Sequence, residues 1–230
     1  SRPKDITAGW DFNCALDDSG AICWGFNEHE QTTVPALTNP TKIDAGESHV
    51  CVMANAGFKC WGWNDSGQTE IPILSNPTQV RAGDMHTCAI TDGELLCWGS
   101  NDYGQTSVPR LTVPTWAGTG DAHSCAIAHE GVKCWGSNSD GQTDIPSLTA
   151  AQQVEGGAFH SCALVEDGII CWGDNSDGQS EAPELSNPTQ ISAGAFHSCA
   201  VADSGITCWG FNGDSQTDTP ILDSPSQVSA

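Results

Sequence analysis

Basic side chains are scarce in this sequence: 7 Lys and Arg stand against 29 Asp and Glu, giving a formal net charge of −22 over 230 residues. Nucleic-acid binding relies on clustered Lys and Arg to displace counterions from phosphates, so such partners are excluded. Anionic membrane surfaces are disfavoured on the same ground. No apolar run approaches the ~20 residues of a membrane-spanning helix, so no membrane insertion is expected. No CxxC pair occurs, which removes the common zinc frameworks. The chain opens Ser1-Arg2-Pro3-Lys4, with neither an initiator Met nor a secretory leader, as a mature or trimmed product does. Helical periodicity is missing. No Ser, Cys or Lys nucleophile stands beside a unique His, no phosphate-cradling glycine loop leads into a helix, and no carboxylate pair breaks the pattern. An enzyme is not expected.

Cysteine, by contrast, is abundant and periodic. One series falls at Cys14, Cys51, Cys88, Cys125, Cys162 and Cys199, a second at Cys23, Cys60, Cys97, Cys134, Cys171 and Cys208, each stepping by 37 residues. A fixed period in this range means one structural unit repeated, with no unit able to bury its apolar face alone. The repeats run over about 8–44, 45–81, 82–118, 119–155, 156–192 and 193–230, with residues 1–7 as an extra copy of the repeat-ending strand. Composition does not change along them, so a single domain over 1–230 is expected.

Within a repeat, two short β-rich runs flank a Gly-containing turn, as in Cys162-Ala163-Leu164 and Ile169-Ile170-Cys171, which reads as a β-hairpin. A four-residue loop at 17–20 sets Leu16 opposite Ala21 and Cys14 opposite Cys23. Opposed antiparallel residues have Cα atoms about 4.5–5.5 Å apart, which a disulfide accepts. Six cross-strand bridges follow, 14–23, 51–60, 88–97, 125–134, 162–171 and 199–208; the rival symmetric pairing joins Cys23 to Cys51 and onward round the chain. Reduced thiols are the alternative to both, and bridging places the protein in an oxidising, secreted or extracellular compartment (periplasm or cell surface included). A further apolar stretch (Ile43, Val80, Val154, Ile191, Val228) ends each repeat, and it too reads as a strand. The fold expected is an all-β, six-bladed β-propeller of six 37-residue repeats, with four-stranded sheets and an intra-blade disulfide in each. Trp24, Trp61, Trp98, Trp135, Trp172 and Trp209 then pack between blades.

The runs A-G-x-x-H-S-C-A-I and C-W-G-x-N-x-x-G-Q-T resemble the regulator of chromosome condensation repeat family over essentially the whole chain. The G-Q-T-x-x-P ending at Gly104-Gln105-Thr106-Ser107-Val108-Pro109 is more similar to its secreted bacterial branch, which includes propeller-type β-lactamase inhibitory proteins. The resemblance implies a propeller used as a binding surface, with inhibition of a secreted hydrolase as one form of that role. Six repeats depart from the seven blades usual in the family.

His49, His86, His123, His160 and His197 recur two residues before the first cysteine, and Phe12 replaces them in repeat one. A hydrogen bond to the neighbouring blade's backbone explains that recurrence better than a metal ring. Asn27, Asn64, Asn101, Asn138, Asn175 and Asn212, each with a Gln four residues on, are expected to bond loop backbone. Loops such as Asn64-Asp65-Ser66-Gly67 supply oxygen ligands but no complete D-x-D-x-D-G pattern, so no cofactor is expected and calcium is the one candidate they raise. Departures from the consensus are aromatic. Phe26, Trp63 and Phe211 follow C-W-G in repeats one, two and six; Trp10, Phe159 and Phe196 stand just before the His position in repeats one, five and six. If the ring closes, these gather around the closure as a partner-binding arc. Protein recognition is the leading reading; a carbohydrate-binding propeller is the alternative, with aromatic faces stacking on sugar rings.

Overall fold

Short β-rich runs interrupted by glycine turns produce eighteen strands and no helix among the described residues in a computed structural model that describes residues 4–55 and 57–230. Blade one is β1 (Asp5–Ala8), β2 (Phe12–Asp17) and β3 (Gly20–Gly25); blade two is β4 (Lys42–Ala45), β5 (His49–Ala54) and β6 (Gly57–Gly62). Blade three is β7 (Pro77–Ala82), β8 (His86–Thr91) and β9 (Glu94–Gly99); blade four is β10 (Trp116–Thr119), β11 (His123–Ala128) and β12 (Gly131–Gly136). Blade five is β13 (Gln153–Gly156), β14 (His160–Val165) and β15 (Gly168–Gly173); blade six is β16 (Gln190–Ala193), β17 (His197–Ala202) and β18 (Gly205–Gly210). Each blade is an antiparallel three-stranded sheet in chain order. The protein is a six-bladed β-propeller.

All six disulfides join the cysteines that the hairpin register sets opposite each other, with Cα separations of 4.0 to 4.1 Å, and no cysteine is free among the described residues. The ring-wise pairing is not formed. The hairpin loop is tighter than four residues: Asp17 pairs with Gly20, leaving two residues at the tip. Repeat three, whose glycine falls one place early, turns on Asp92 and Gly93, both at positive φ (47° and 78°), as a two-residue Asp-Gly hairpin requires.

Two expectations are corrected. Sheets have three strands, not four, because the segment after each hairpin carries a proline (Pro35, Pro72, Pro109, Pro146, Pro183, Pro220) that removes a ladder donor. That segment instead folds on its own side chains: Asn64 Oδ1 accepts the Thr69 N–H at 2.9 Å and Gln68 Oε1 accepts that of Ser66 at 3.0 Å, as the Asn and Gln spacing foretold. The strand that closes each sequence repeat, moreover, pairs with the hairpin that follows it. β4 pairs with β5, and β1 belongs to blade one. The copy without a hairpin is therefore residues 227–230, at the other end of the chain.

Those last residues reveal the ring's count. Gln190 Oε1 accepts the Val228 N–H at 2.9 Å, as Gln153 Oε1 accepts that of Ile191 at 3.0 Å. On its other side the segment meets the first blade: Ser229 Oγ accepts the Ala8 N–H at 3.0 Å, just as Thr7 Oγ1 accepts that of Ala45 at 2.9 Å, and Gln227 Nε2 donates to Asp5. The inner circle thus closes with seven strand positions, six bearing complete blades and one bearing an inner strand alone. Its channel, of about 70 Å³, is lined from all seven, among them Thr7, Asp44, Arg81, Thr119, Glu155, Ser192 and Ser229.

The core lies between blades. Cys125 and Ile127 of blade four pack with Val154, Ala163, Val165 and Trp172 of blade five, and the same layer recurs round the ring. Backbones approach closely there: a methyl group at Gly120 would collide with the Gly157 carbonyl and the His123 ring, which is why the position before each histidine turn stays glycine.

Candidate partner-binding site

The histidines settle first. His49, His86, His123 and His160 are fully buried, and each Nε2 meets a hydroxyl of the next blade: Thr87, Ser124, Ser161 and Ser198 at 2.7 to 2.9 Å. The neighbouring blade was expected, but its backbone was not the acceptor. A hydroxyl directly after each histidine position reaches the ring first. Thr87, Ser124 and Ser161 pass their own protons to the carbonyls of Gln68, Gln105 and Gln142, so the imidazoles facing them must donate from Nε2. Burial pushes His49 and His160 down to about 4, and His86 and His123 to about 3, so all four are neutral near pH 7. The same glutamine carbonyls accept the indole N–H of the next blade's tryptophan, as Gln105 does from Trp135 at 2.9 Å. At the three junctions from blade two to blade five this makes a closed relay of His, hydroxyl, Gln and Trp.

The glutamine side chains divide the ring. After C-W-G, blades three, four and five carry Ser100, Ser137 and Asp174, which accept the amide Nε2 of Gln105, Gln142 and Gln179 at 3.3, 3.4 and 2.7 Å. Blades one and two carry Phe26 and Trp63 there. Neither ring can accept, and Gln31 Nε2 and Gln68 Nε2 are buried without a partner. An orphaned buried donor costs about 1–3 kcal/mol.

Gln31 forms the floor of a cavity of about 290 Å³ between blades one and two, walled by Trp10, Phe26, Trp63 and His29, with Asp11, Glu47 and Ser48 at its margin. His29 stacks on Trp63, ring centroids 5.3 Å apart. Three of the six candidate aromatics, Trp10, Phe26 and Trp63, therefore share one site. Phe159 and Phe196 meet each other at 6.1 Å on blades five and six, and the Phe211 N–H bonds the Phe196 carbonyl. These form a second group, separated from the first by the seventh position, so the arc is in two parts. His29, Glu47 and Asp11 escaped sequence reasoning, and Gln31 entered it only as a loop-bonding residue. The signal that could have found them was present: an aromatic five residues before a Gln whose counterparts face Ser or Asp.

A second polar feature lies in the channel. Arg81 reaches Asp44 at 3.5 Å and Glu155 at 3.2 Å, the latter two blades away, while sitting 4.9 Å over the Trp116 ring. Burial pushes Asp44 up to about 7 and raises Glu155, against the pull of Arg81. No such brace is predictable from a consensus, because Arg81 has no counterpart in the other repeats.

Comparison with known proteins fits this architecture. Residues 4–31, 78–105, 151–179 and 189–216 match the regulator of chromosome condensation (RCC1) repeat. The chain belongs to the RCC1 repeat family. No curated protein matches its sequence. Among solved structures, this RCC1-type propeller is similar to the ectodomain of the Physcomitrella patens receptor kinase CR4 (24% identity, 89% of this chain and 61% of that one, TM-score 0.75). It is also similar to the CRINKLY ectodomain of Arabidopsis thaliana ACR4 (24% identity, 89% and 78% covered, TM-score 0.73). Yeast RCC1 (Prp20), solved bound to Kap60, matches at 17% identity over 90% of this chain and 69% of that one, TM-score 0.75. The chain thus spans less than two thirds of the moss ectodomain. At these identities the likeness establishes the propeller fold.

Proposed function

We propose that this RCC1-type propeller is a secreted, non-enzymatic binding module that holds a protein partner on the aromatic cavity of blades one and two. Phe159, Phe196 and Phe211 extend the contact on blades five and six. The observation that carries the reading is the pair of orphaned amides. At Gln31 and Gln68 the molecule forgoes a hydrogen bond that three sister repeats make, and what it gains is an aromatic wall around an open cavity. Packing alone does not account for Phe26, which remains 41% exposed. Exposed aromatics beside a desolvated polar atom are the usual anchors of a protein interface. Six disulfides suit an oxidising, extracellular setting, and no helix among the described residues is long and apolar enough to cross a membrane.

The test is a triple variant, Phe26→Ser, Trp63→Ser and Phe211→Ser, used to capture proteins from the native extracellular medium. Wild type is expected to retain a partner that the variant loses while its melting temperature stays close to wild type. A variant that unfolds would show these residues to be core. Capture that simple sugars compete away would assign the cavity to glycans instead.

A further inference from the structure

Charge is sorted between the two ends of the propeller. In blade one, loops 9–11 and 26–31 lie at the same end, since Phe12 pairs with Gly25 and the Phe26 N–H bonds the Asp11 carbonyl at 2.9 Å. Their counterparts recur at steps of 37 residues. The first set of loops holds Asp11, Glu47, Asp84 and Asp121, the second holds eight more carboxylates, and neither holds a Lys or Arg. No ion pair among the described residues uses any of these carboxylates. Lys4 and Lys133 instead reach Asp18 and Glu130, at hairpin tips on the opposite end. The aromatic cavity of blades one and two opens at the acidic end. Glu28 and Glu30 flank its His29, and Glu30 stands at φ 62° where blades two to five place Gly67, Gly104, Gly141 and Gly178. A left-handed backbone disfavours any side chain, so this carboxylate is set against local preference. The walls are tied by their main chains: the N–H of Trp10 bonds the Glu47 carbonyl at 3.2 Å and that of Trp63 the Ser48 carbonyl at 2.9 Å. Trp10 is 75% exposed, whereas Gln31 below it is wholly buried. Gln31 Oε1 is taken by the His29 N–H at 3.0 Å, which leaves the Nε2 donor unanswered.

We infer that this cavity takes one lysine or arginine side chain from a basic segment of the protein partner. The inference rests on the cavity's being the partner site and specifies what enters it. Three demands are made there at once. The faces of Trp10, Phe26 and Trp63 attract a cation, the Asp11 and Glu47 carboxylates at the margin favour the same charge, and Gln31 Nε2 requires an acceptor. A basic residue in a polypeptide meets all three: its stem lies along the rings, its charged head stays at the carboxylates, and a carbonyl of the same segment accepts from Gln31. A sugar supplies acceptors without a cation, and a free amine supplies a cation without an acceptor. An acidic segment is repelled by the whole end of the ring. At about 290 Å³ the cavity lies just below the range of pockets for drug-sized ligands, which suits a single long side chain.

The probe is a capped peptide, acetyl-Gly-Ser-Lys-Ser-Gly-amide, titrated against the oxidised protein. Binding is followed by NMR at the indole N–H signals of Trp10 and Trp63 and at the side-chain amide of Gln31. Saturable shifts are expected at all three. Glutamine in place of the lysine should weaken binding about tenfold, which is ~1.4 kcal/mol. Arginine or trimethyllysine should retain it, because the rings respond to charge and not to an N–H. The double variant Asp11→Asn with Glu47→Gln should also lose about tenfold. Glu166→Gln with Asp167→Asn, the same change of charge at a hairpin tip, should lose nothing. Equal affinity for the lysine and glutamine peptides overturns the proposal, as does the absence of any saturable shift. Equal losses from the two double variants would show attraction to net charge alone and overturn it too. Failure here is distinguishable from failure of the site. A partner that the triple aromatic variant loses, but that wild type still binds after the partner's lysines and arginines are chemically neutralised, would keep the cavity and remove the cation from it.

Discussion

Blades three to five and blades one to two are built on one backbone plan, yet they treat their polar slots differently. In the regular arc each imidazole Nε2 meets a hydroxyl, with Nδ1 left buried and unpartnered at every histidine, and each glutamine amide meets Ser100, Ser137 or Asp174. In the irregular arc two kinds of departure occur. Phe12 replaces the histidine, and the residue facing it from blade two is Val50 rather than Ser or Thr; both are fully buried in one apolar cluster. Removing both partners together costs little. Phe26 and Trp63 remove one partner only. A compensated change is packing, whereas an uncompensated one beside a cavity points to use.

The largest effect expected comes from breaking the tie between the arcs. Arg81→Gln leaves Asp44 and Glu155, part-buried in the channel, without their cation, and stability should fall by about 3 kcal/mol in chemical denaturation, the lower end of the cost of breaking a buried ion pair. A loss no greater than that of an exposed surface substitution would show the brace to be ornamental.

A smaller effect is set by pH, because two sets of buried groups, both spread over blades two to five, titrate in opposite senses. Burial, with a hydrogen bond that protonated Asp84 donates to Glu47, pushes Asp84 up to about 8; burial beside Asp84 pushes Asp121 to about 6; burial pushes Asp44 to about 7. These carboxyls hold protons in the folded state that the unfolded chain has released, so their contribution is lost as pH rises through 6 to 8. The four buried histidines work the other way. Unfolded, they take protons below about 6.5, which the folded rings refuse, so stability also falls in acid. Denaturation midpoints across pH should therefore peak near about 6, and Asp84→Asn should flatten the alkaline limb. A monotonic profile from acid to base would break the comparison.

The relay itself gives a third contrast. Ser161→Val strips the acceptor from His123 and leaves its N–H buried, at a cost of about 1–3 kcal/mol. The mirror change, Val50→Ser opposite Phe12, buries a hydroxyl with no imidazole to meet it and should cost about the same. The double variant Phe12→His with Val50→Ser is expected to recover most of that loss. Equal effects of the single and double variants, measured by thermal unfolding, would deny that the slots are paired.

Much of this was legible in the residues. Two cysteine series with one spacing, read with the hairpin turn, set Cys14 opposite Cys23, so the six bridges could be written down, although the turn was expected to be four residues long and leaves two at its tip. The fourth strand was expected from the propeller plan and not from any segment of the repeat; the stretch after the blade-three hairpin is a loop, held by Pro109 and the Asn101 and Gln105 bonds. Seven copies of the inner strand, Ile6 to Val228, could be counted but not interpreted, since curvature decides whether an extra strand hangs free or holds a place in the ring. The orphaned amides hid for another reason: a consensus lists positions one by one, and the information lay in which residue faces which.

The smallest effect is also the sharpest. Exchanging the residue after C-W-G between arcs should move stability in opposite directions. Ser137→Phe puts a ring where Gln142 Nε2 now donates, orphaning that amide in the regular arc, and should lower stability by about 1–3 kcal/mol. Phe26→Ser returns an acceptor to Gln31 and surrenders a ring that solvent already reaches, so stability should hold or rise by about 0.5–1 kcal/mol. A residue whose replacement stabilises the fold is kept for something other than the fold. If Phe26→Ser instead melts early, the ring is packing after all, and the cavity between blades one and two loses its claim to be a built site.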